Sequence, residues 1–213
     1  MVIPELYRDP NFVVLDKPAG LKVHPGPGGG PSVEDCFALL SRRSTGPWLA
    51  HRLDADTAGC LVIALRKAAL IAAQGAFAAG RVQKTYWAVV AGRPATARGT
   101  IALPLRKVST GQSWHIEPHA CGEPARTDWH ILGSAPGISL LELHPHTGRT
   151  HQIRVHCAAL GCPILGDPRY GGPPGALHLL ARAIALPLVP PVHALAAVPA
   201  HMQQAVAACL TGD

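Results

Sequence analysis

The chain has 213 residues, of which 48% are hydrophobic and 15% charged, so it has enough apolar material to bury the core of a folded domain. Its longest apolar stretches, at residues 60–65 and 183–189, fall far short of the roughly 18 residues that cross a bilayer, which excludes a membrane-spanning helix. The formal net charge of +6 suits an anionic partner such as a nucleic acid, but it serves solubility equally well.

The N-terminal residues lack the basic start, apolar run and small-residue cleavage site of a secretory signal, so we expect a cytoplasmic protein. The six cysteines form no CxxC pair, and a chain of this size builds a core without disulfides. Free thiols are therefore expected.

Glycine and proline divide the first 40 residues into short elements. Residues 12–15 and 21–24 are strand-like and flank a Lys-Pro-Ala-Gly turn at 17–20, which predicts a hairpin. Ser32 is a good helix cap and is followed by acidic residues, so a helix is predicted over 33–40.

The middle of the chain shows clear hydrophobic periodicity. Residues 60–65 form an apolar run that predicts a buried strand, and residues 67–79 carry apolar side chains at helical spacing. Residues 81–90 alternate as a strand does, which places Lys84 and Tyr86 on the same face.

The rest of the chain is interpreted as strands followed by one further helix. Residues 92–129 are interrupted by glycine and proline as in an antiparallel meander, and residues 140–143 predict another strand. Thr150 is expected to cap a helix that runs to residue 160, with Arg154 off its apolar stripe and near one edge of it. The predicted fold class is α+β.

The segment at residues 51–59, HRLDADTAG, is followed by the buried strand predicted at 60–65 and contains two candidate carboxylates, Asp54 and Asp56. On the residues alone either one can act in catalysis, and either can instead satisfy backbone donors in a turn.

The same segment resembles the HRLD-x-x-T-[SA]-G signature of the RluA-type RNA pseudouridine synthases. Further segments agree in the order that this family shows. They are VVLDKPAG followed by HPG within residues 13–26, KTY at 84–86, GEPART at 122–127, and TGRTHQIRVH at 147–156. The resemblance extends from about residue 12 to residue 186.

This resemblance implies a bent, mostly antiparallel sheet with flanking helices and loops and a central catalytic cleft. It further implies a single catalytic domain over residues 1–213 without the N-terminal S4-like RNA-binding module of some relatives. The implied reaction converts uridine to pseudouridine in ribosomal RNA or tRNA. Because the base is detached from ribose C1′ through N1 and rejoined through C5, no atom is gained or lost and no cofactor is expected.

The resemblance also assigns roles to individual side chains. Asp54 is the expected catalytic carboxylate, Tyr86 the aromatic ring that stacks on the target uracil, and Arg154 the cation that pairs with Asp54. Ile153 is expected to pack under the uracil, and Arg52 to fill the gap that the extruded nucleotide leaves in the RNA. Additional candidates for contacts with the RNA backbone are the basic residues Lys17, Lys22, Arg149 and Arg169.

Simpler interpretations exist for these residues. Tyr86 can be an ordinary strand aromatic, Arg154 a solvated helix residue, and Arg52 a phosphate contact or part of a structural ion pair. Asp54 can act by covalent attack or by removing a sugar proton to give a glycal, and the sequence favours neither route.

Twelve histidines raise the question of a metal site. His144 and His146 lie two apart, whereas His151 and His156 lie five apart on a predicted helix and lack the i, i+4 spacing of a helical ligand pair. We therefore expect no metal.

Two alternative functions remain open beside the isomerase. One is a catalytically inactive RNA-binding protein that assists ribosome assembly, and the other is a base glycosylase in which water captures the sugar. RNA is the expected partner in each case, with no membrane, no obligatory protein partner and a monomeric state.

Overall fold

The computed structural model describes residues 2–26, 28–111 and 113–212. Contacts group the chain into two units. The first takes in the described residues up to Lys84 together with Leu180–Val198, and the second takes in Thr85–Leu179 together with the described residues from Pro199 onward.

The secondary structure of the described residues consists of twelve strands, four α-helices and two short 3-10 turns. In chain order the strands are β1 (Glu5–Arg8), β2 (Phe12–Lys17), β3 (Trp48–Leu49), β4 (Ala58–Ala64), β5 (Gln83–Ala91), β6 (Arg98–Ile101), β7 (Leu105–Thr110), β8 (Ser113–Pro118), β9 (Thr127–Ala135), β10 (Ile138–Pro145), β11 (Leu179–Leu186) and β12 (Val192–Leu195). The helices are α1 (Phe37–Leu40), α2 (Lys67–Ala78), α3 (Gln152–Ala159) and α4 (Ala200–Thr211). None of them is both long and apolar enough to span a membrane.

The first unit is organised around β4, in which all seven residues are buried. This strand pairs antiparallel with β2 along one edge, and with β3 and the parallel strand β11 along the other. β1 then extends the sheet beyond β2, and β12 extends it beyond β11. The HRLD segment therefore leads directly into the most buried strand of its unit, which gives that segment a rigid attachment.

The second unit contains an antiparallel sheet in which β10 lies between β5 and β9, and β6 pairs with the far edge of β9. Strands β7 and β8 pair antiparallel with each other in a separate two-stranded sheet. Helix α4 packs on β9 and β10. The core of the unit forms where side chains of β5, β9, β10 and α3 meet.

Several predicted elements are confirmed. The apolar run at 60–65 overlaps β4, the helix predicted at 67–79 corresponds to α2, and the alternating strand predicted at 81–90 corresponds to β5. Together with the mostly antiparallel pairing, these elements confirm the α+β class. The C-terminal region forms β12 and α4.

The hairpin predicted over residues 12–24 is wrong. Both edges of β2 are already paired, one with β1 and the other with β4, so no edge is available to residues 21–24. Leu21 and Val23 are buried, and Lys22 makes a single bridge to Ser32.

The expected Thr150 cap is also wrong. His151 adopts a left-handed conformation with φ of 53°, so α3 begins only at Gln152. The Gln152 side-chain oxygen accepts hydrogen bonds from the Arg149 backbone N–H and the Thr147 hydroxyl, and these bonds shape the entry to the helix.

Gly59 is required by the packing of β4 on β11. Its φ is +106°, and a Cβ atom placed there would lie 2.3 Å from the carbonyl oxygen of Ala181, its partner in the parallel pairing. We predict that Gly59→Ala lowers the free energy of unfolding by about 3 kcal/mol, because strain and steric overlap act together.

The matched control is Gly75→Ala in α2, where the added methyl group meets no atom within 4 Å and helix propensity improves. This variant is expected to gain up to about 1 kcal/mol. Urea denaturation of both variants measures the difference, and equal stabilities would contradict the prediction.

Candidate active site

The Lys17 side chain holds the HRLD segment in place within the first unit. Its amine is fully buried and donates hydrogen bonds to the carbonyl oxygens of Pro18 at 2.9 Å, Leu21 at 2.8 Å and Ala55 at 2.7 Å. Ala55 directly follows Asp54, so the amine anchors the backbone beside the candidate carboxylate. Burial lowers the pKa of Lys17 to about 8, and the negative charges of Asp56 and Asp54 act in the opposite direction.

The expected role of Lys17 as a contact to the RNA backbone is wrong. A lysine amine has three N–H donors, and all three of them reach backbone carbonyls inside the protein. With no exposed surface, the amine cannot meet a phosphate. Lys17 is a structural support for the turn that carries Asp54.

His51 fixes the start of the same segment. Its Nε2 atom accepts a hydrogen bond of 3.0 Å from the Val62 backbone N–H, and its ring lies 5.0 Å from the ring of Phe77 in α2. Burial and the positive charge of Lys84 lower the pKa of His51 to about 4, so the imidazole is neutral at pH 7. A neutral ring is what the Val62 bond requires, because the accepting nitrogen must carry no proton.

Between His51 and β4 the chain makes a tight turn. The Thr57 backbone N–H donates to the Asp54 carbonyl oxygen at 3.2 Å, and Thr57 itself is buried. Asp54 is partly buried, whereas Arg52 and Asp56 are exposed. Of the two carboxylates that the sequence left open, Asp54 is thus the one held in the more enclosed and more constrained position.

Arg154 lies in the second unit and is buried, so it is not the solvated helix residue of the simpler interpretation. Helix α3 is buried on all sides from Gln152 to Cys157. The guanidinium donates from Nε to Asp167 Oδ2 at 2.7 Å and from Nη2 to Asp167 Oδ1 at 2.8 Å. The Arg154 Cζ atom also lies over the ring of Tyr170, 5.2 Å from the ring centroid. The bidentate geometry fixes the plane of the guanidinium.

Tyr86 and Ile153 belong to one apolar cluster of the second unit. Tyr86 lies on β5 opposite Leu143 of β10 and is partly buried, so its ring packs on the core while part of it stays accessible. Ile153 on α3 is buried in the same cluster. Neither Arg154 nor Tyr86 lies in the unit that contains Asp54.

A basic and aromatic surface forms around Trp114 on β8, and we call it the Trp114 patch. It consists of Trp114, Lys107, Arg169 and His151. The Lys107 amine lies 4.8 Å from the Trp114 ring, the Arg169 guanidinium 5.2 Å and the His151 ring 5.1 Å. Of these four residues, sequence reasoning selected only Arg169 for substrate binding. The sequence signal that could have identified the other three residues is Trp114 itself, an aromatic residue in a short strand with Lys107 nearby in the chain.

The remaining basic candidates are exposed. The Lys22 amine donates to the Gly29 carbonyl oxygen at 3.1 Å. Arg149 forms an ion pair with Glu123 and donates from Nε to the Pro124 carbonyl oxygen at 3.2 Å. Both side chains lie on the surface of their own units, where they are accessible to a large anionic ligand.

Comparison with known proteins decides the family. Residues 11–159 match the family described as RNA pseudouridylate synthase. The chain belongs to the RNA pseudouridine synthase family. An uncharacterised RNA pseudouridine synthase of Zymomonas mobilis is 42% identical over 155 residues, which cover 72% of this chain and 71% of that protein. Ribosomal large subunit pseudouridine synthase C of Vibrio vulnificus is 36% identical, with 78% of this chain and 52% of that protein covered.

Solved structures agree with this assignment. Human RNA pseudouridylate synthase domain containing 4 superposes with a TM-score of 0.82 at 27% identity, and the match covers 96% of this chain and 92% of that one. Members of the RNA pseudouridine synthase family are isomerases, so the reaction class and the fold expected from the sequence are confirmed. The chain spans only about half of the length of the Vibrio enzyme.

The role of Lys17 can be tested by replacement with methionine, which has similar length but no donor. We predict that Lys17→Met lowers the free energy of unfolding by about 3 kcal/mol, because three backbone carbonyls lose a charged partner. Lys22→Met is the matched control and should change it by less than about 0.5 kcal/mol, since Lys22 is exposed. Chemical denaturation compares the two, and similar losses would contradict the supporting role.

Proposed function

We propose that this protein converts uridine to pseudouridine in RNA, with Asp54 as the catalytic carboxylate. The observation that carries this proposal is the immobilised turn of the HRLD segment in a member of the RNA pseudouridine synthase family. A catalytic group has to be positioned before the substrate arrives, and rigid surroundings supply that positioning. The buried Lys17 amine and the His51 ring provide such surroundings for the backbone around Asp54.

The chemistry requires an ionised carboxylate. The glycosidic bond between ribose C1′ and uracil N1 breaks, the base turns, and a new bond joins C1′ to C5. C5 then gives up its proton and N1 takes one up, so no atom is gained or lost overall. Asp54 acts either as a nucleophile or as the base that removes a sugar proton, and in both routes it begins as a carboxylate. The electrostatic interaction with the Lys17 ammonium favours that charged form.

Tyr86, Ile153 and Arg154 are proposed to complete the site. Tyr86 stacks on the target uracil, and Ile153 packs against the same base. Stacking of a base on an aromatic ring contributes about 1–3 kcal/mol. Arg154 pairs with Asp54, and its bidentate bond to Asp167 keeps the guanidinium plane in one orientation for that purpose.

Contacts with the rest of the RNA are proposed to come from exposed basic and aromatic side chains. Arg52 fills the space that the extruded nucleotide leaves in the base stack, which offsets part of the cost of unstacking. The Trp114 patch offers a ring for base stacking and two cations for phosphates. Further phosphate contacts are assigned to Lys22 and Arg149.

Ribosomal RNA is the substrate class that we propose first, because the Vibrio vulnificus relative is named a ribosomal large subunit pseudouridine synthase. Transfer RNA is the second candidate. We further propose that the protein acts as a monomer in the cytoplasm, without an obligatory protein partner and without a cofactor.

Replacement of the catalytic carboxylate tests the proposal. Asp54→Asn should lower pseudouridine formation at least about 1,000-fold while RNA affinity stays within about threefold of the wild type, because only the reacting group is removed. Asp56→Asn is the matched control, two residues away and exposed, and should keep its activity. Pseudouridine is quantified by mass spectrometry of nucleosides from treated RNA.

The products of the same assay separate the alternatives. Release of free uracil would identify a glycosylase, and binding without any pseudouridine in wild-type reactions would identify an inactive RNA-binding protein. Retained turnover in Asp54→Asn would reject the assignment of the carboxylate.

The Trp114 patch gives an independent prediction about binding. Arg169→Gln should weaken binding by about the same factor for RNAs of different sequence, because a phosphate contact carries no sequence information. The magnitude of the slope of log K against log salt concentration should decrease by about 1, because one phosphate contact is lost. Arg106→Gln is the control, since the Arg106 guanidinium is already engaged by Glu117 at 2.7 Å. Filter binding over a salt series measures both, and an unchanged slope for Arg169→Gln would contradict the predicted contact.

A further inference from the structure

Three potential metal ligands meet on one face of the antiparallel sheet in the second unit. His130 lies on β9 directly opposite Glu142 of β10. His144 lies two residues beyond Glu142 on the same strand, so its side chain projects from the same face. All three residues are partly buried. None of the three residues is among those proposed above for catalysis or for RNA binding.

The potential ligand atoms of the three residues lie close together. The Nε2 atom of His144 lies 3.0 Å from Glu142 Oε1, and the Nε2 atom of His130 lies 3.8 Å from the same oxygen. One ligand atom from each residue falls within 4.8 Å of the other two. Tetrahedral Zn²⁺, with bonds of about 2.0–2.2 Å to nitrogen and oxygen, places its ligand atoms about 3.4 Å apart. The two distances to Glu142 Oε1, 3.0 and 3.8 Å, lie on either side of this spacing.

A second observation concerns the carboxylate of Glu142. Its other oxygen, Oε2, accepts a hydrogen bond of 3.0 Å from the indole nitrogen of Trp87, which lies opposite Glu142 on β5. This bond turns Oε1 towards the two imidazoles. Carboxylates that bind metals are commonly oriented by such outer hydrogen bonds. The site thus contains both a ligand set and a support for it.

We propose that His130, Glu142 and His144 bind a divalent transition-metal ion, with water in the remaining position. The spacing of histidines along the chain predicted no metal, because it does not reveal the pairing that places His130 opposite Glu142. Two imidazole nitrogens and one carboxylate oxygen suit Zn²⁺ and its neighbours better than Mg²⁺ or Ca²⁺, which prefer oxygen ligands alone. The ion links β9 to β10 and stabilises the sheet of the second unit. This inference is independent of the proposed catalytic function.

Binding of Zn²⁺ to the full chain, purified and stripped of metal with a chelator, tests the proposal. Competition with a chromophoric chelator should reveal one tight site per chain. His130→Ala and Glu142→Gln should each weaken the affinity at least about 100-fold, because one of three protein ligands is lost. Trp87→Phe should weaken it about tenfold, since the ligands remain but the carboxylate loses its support.

The control is His115→Ala, which removes a histidine from another His–Glu pair with similar exposure on β8. It should bind Zn²⁺ as the wild type does. Absence of a tight site in the wild type, or equal affinity in His130→Ala and the wild type, would overturn the proposal. Loss of tight Zn²⁺ binding in His115→Ala would show that the ion does not bind at His130, Glu142 and His144 alone, and would overturn the assignment of the site.

Thermal unfolding supplies a second measurement. Saturating Zn²⁺ should raise the Tm of the wild type and of His115→Ala by about 5 °C, because only the folded state holds the ligands together. The Tm of His130→Ala should not respond. Far-ultraviolet circular dichroism verifies that each variant is folded before metal is added. An equal rise in Tm in all the variants would overturn the site.

Discussion

The buried ammonium of Lys17 is the interaction on which the proposed catalytic centre depends. Burying a charge costs several kcal/mol unless polar partners surround it, and the carbonyls of Pro18, Leu21 and Ala55 are those partners. These carbonyls belong to the turn after β2 and to the turn before β4, so both turns have to lie within hydrogen-bond distance of the Lys17 Nζ atom. The position of the backbone next to Asp54 is therefore a consequence of satisfying a single amine.

The second unit also contains a buried charge that is satisfied by polar partners, in this case an ion pair. Arg154 and Asp167 are both buried, and their bidentate bond joins α3 to the segment that carries Tyr170. Removing either partner would leave an uncompensated charge in the core, so the ion pair fixes the position of this segment relative to the helix. Tyr170 in turn accepts a hydrogen bond from Ile116 and contacts His151, which connects this pair to the Trp114 patch.

Much of the fold could be predicted because several elements carry their own local signal. The apolar run of β4, the helical spacing of α2 and the alternation of β5 each identify an element without its partners. The hairpin over residues 12–24 failed because β2 pairs with two strands, one of them remote in sequence. Thr150 failed as a cap because His151 takes a left-handed conformation, which residue type alone does not reveal.

The sequence by itself determined the family and the class of fold, since these depend on short motifs whose residues are neighbours in the chain, and the same motifs single out Asp54 as the carboxylate that we propose for catalysis. Tertiary structure alone decided that Lys17 is a support, that Arg154 is buried against Asp167, and that His130 lies beside Glu142 and His144. The physical reason is that burial and strand register are produced by segments far apart in sequence. Local patterns indicate which way a side chain points, but not what it meets there.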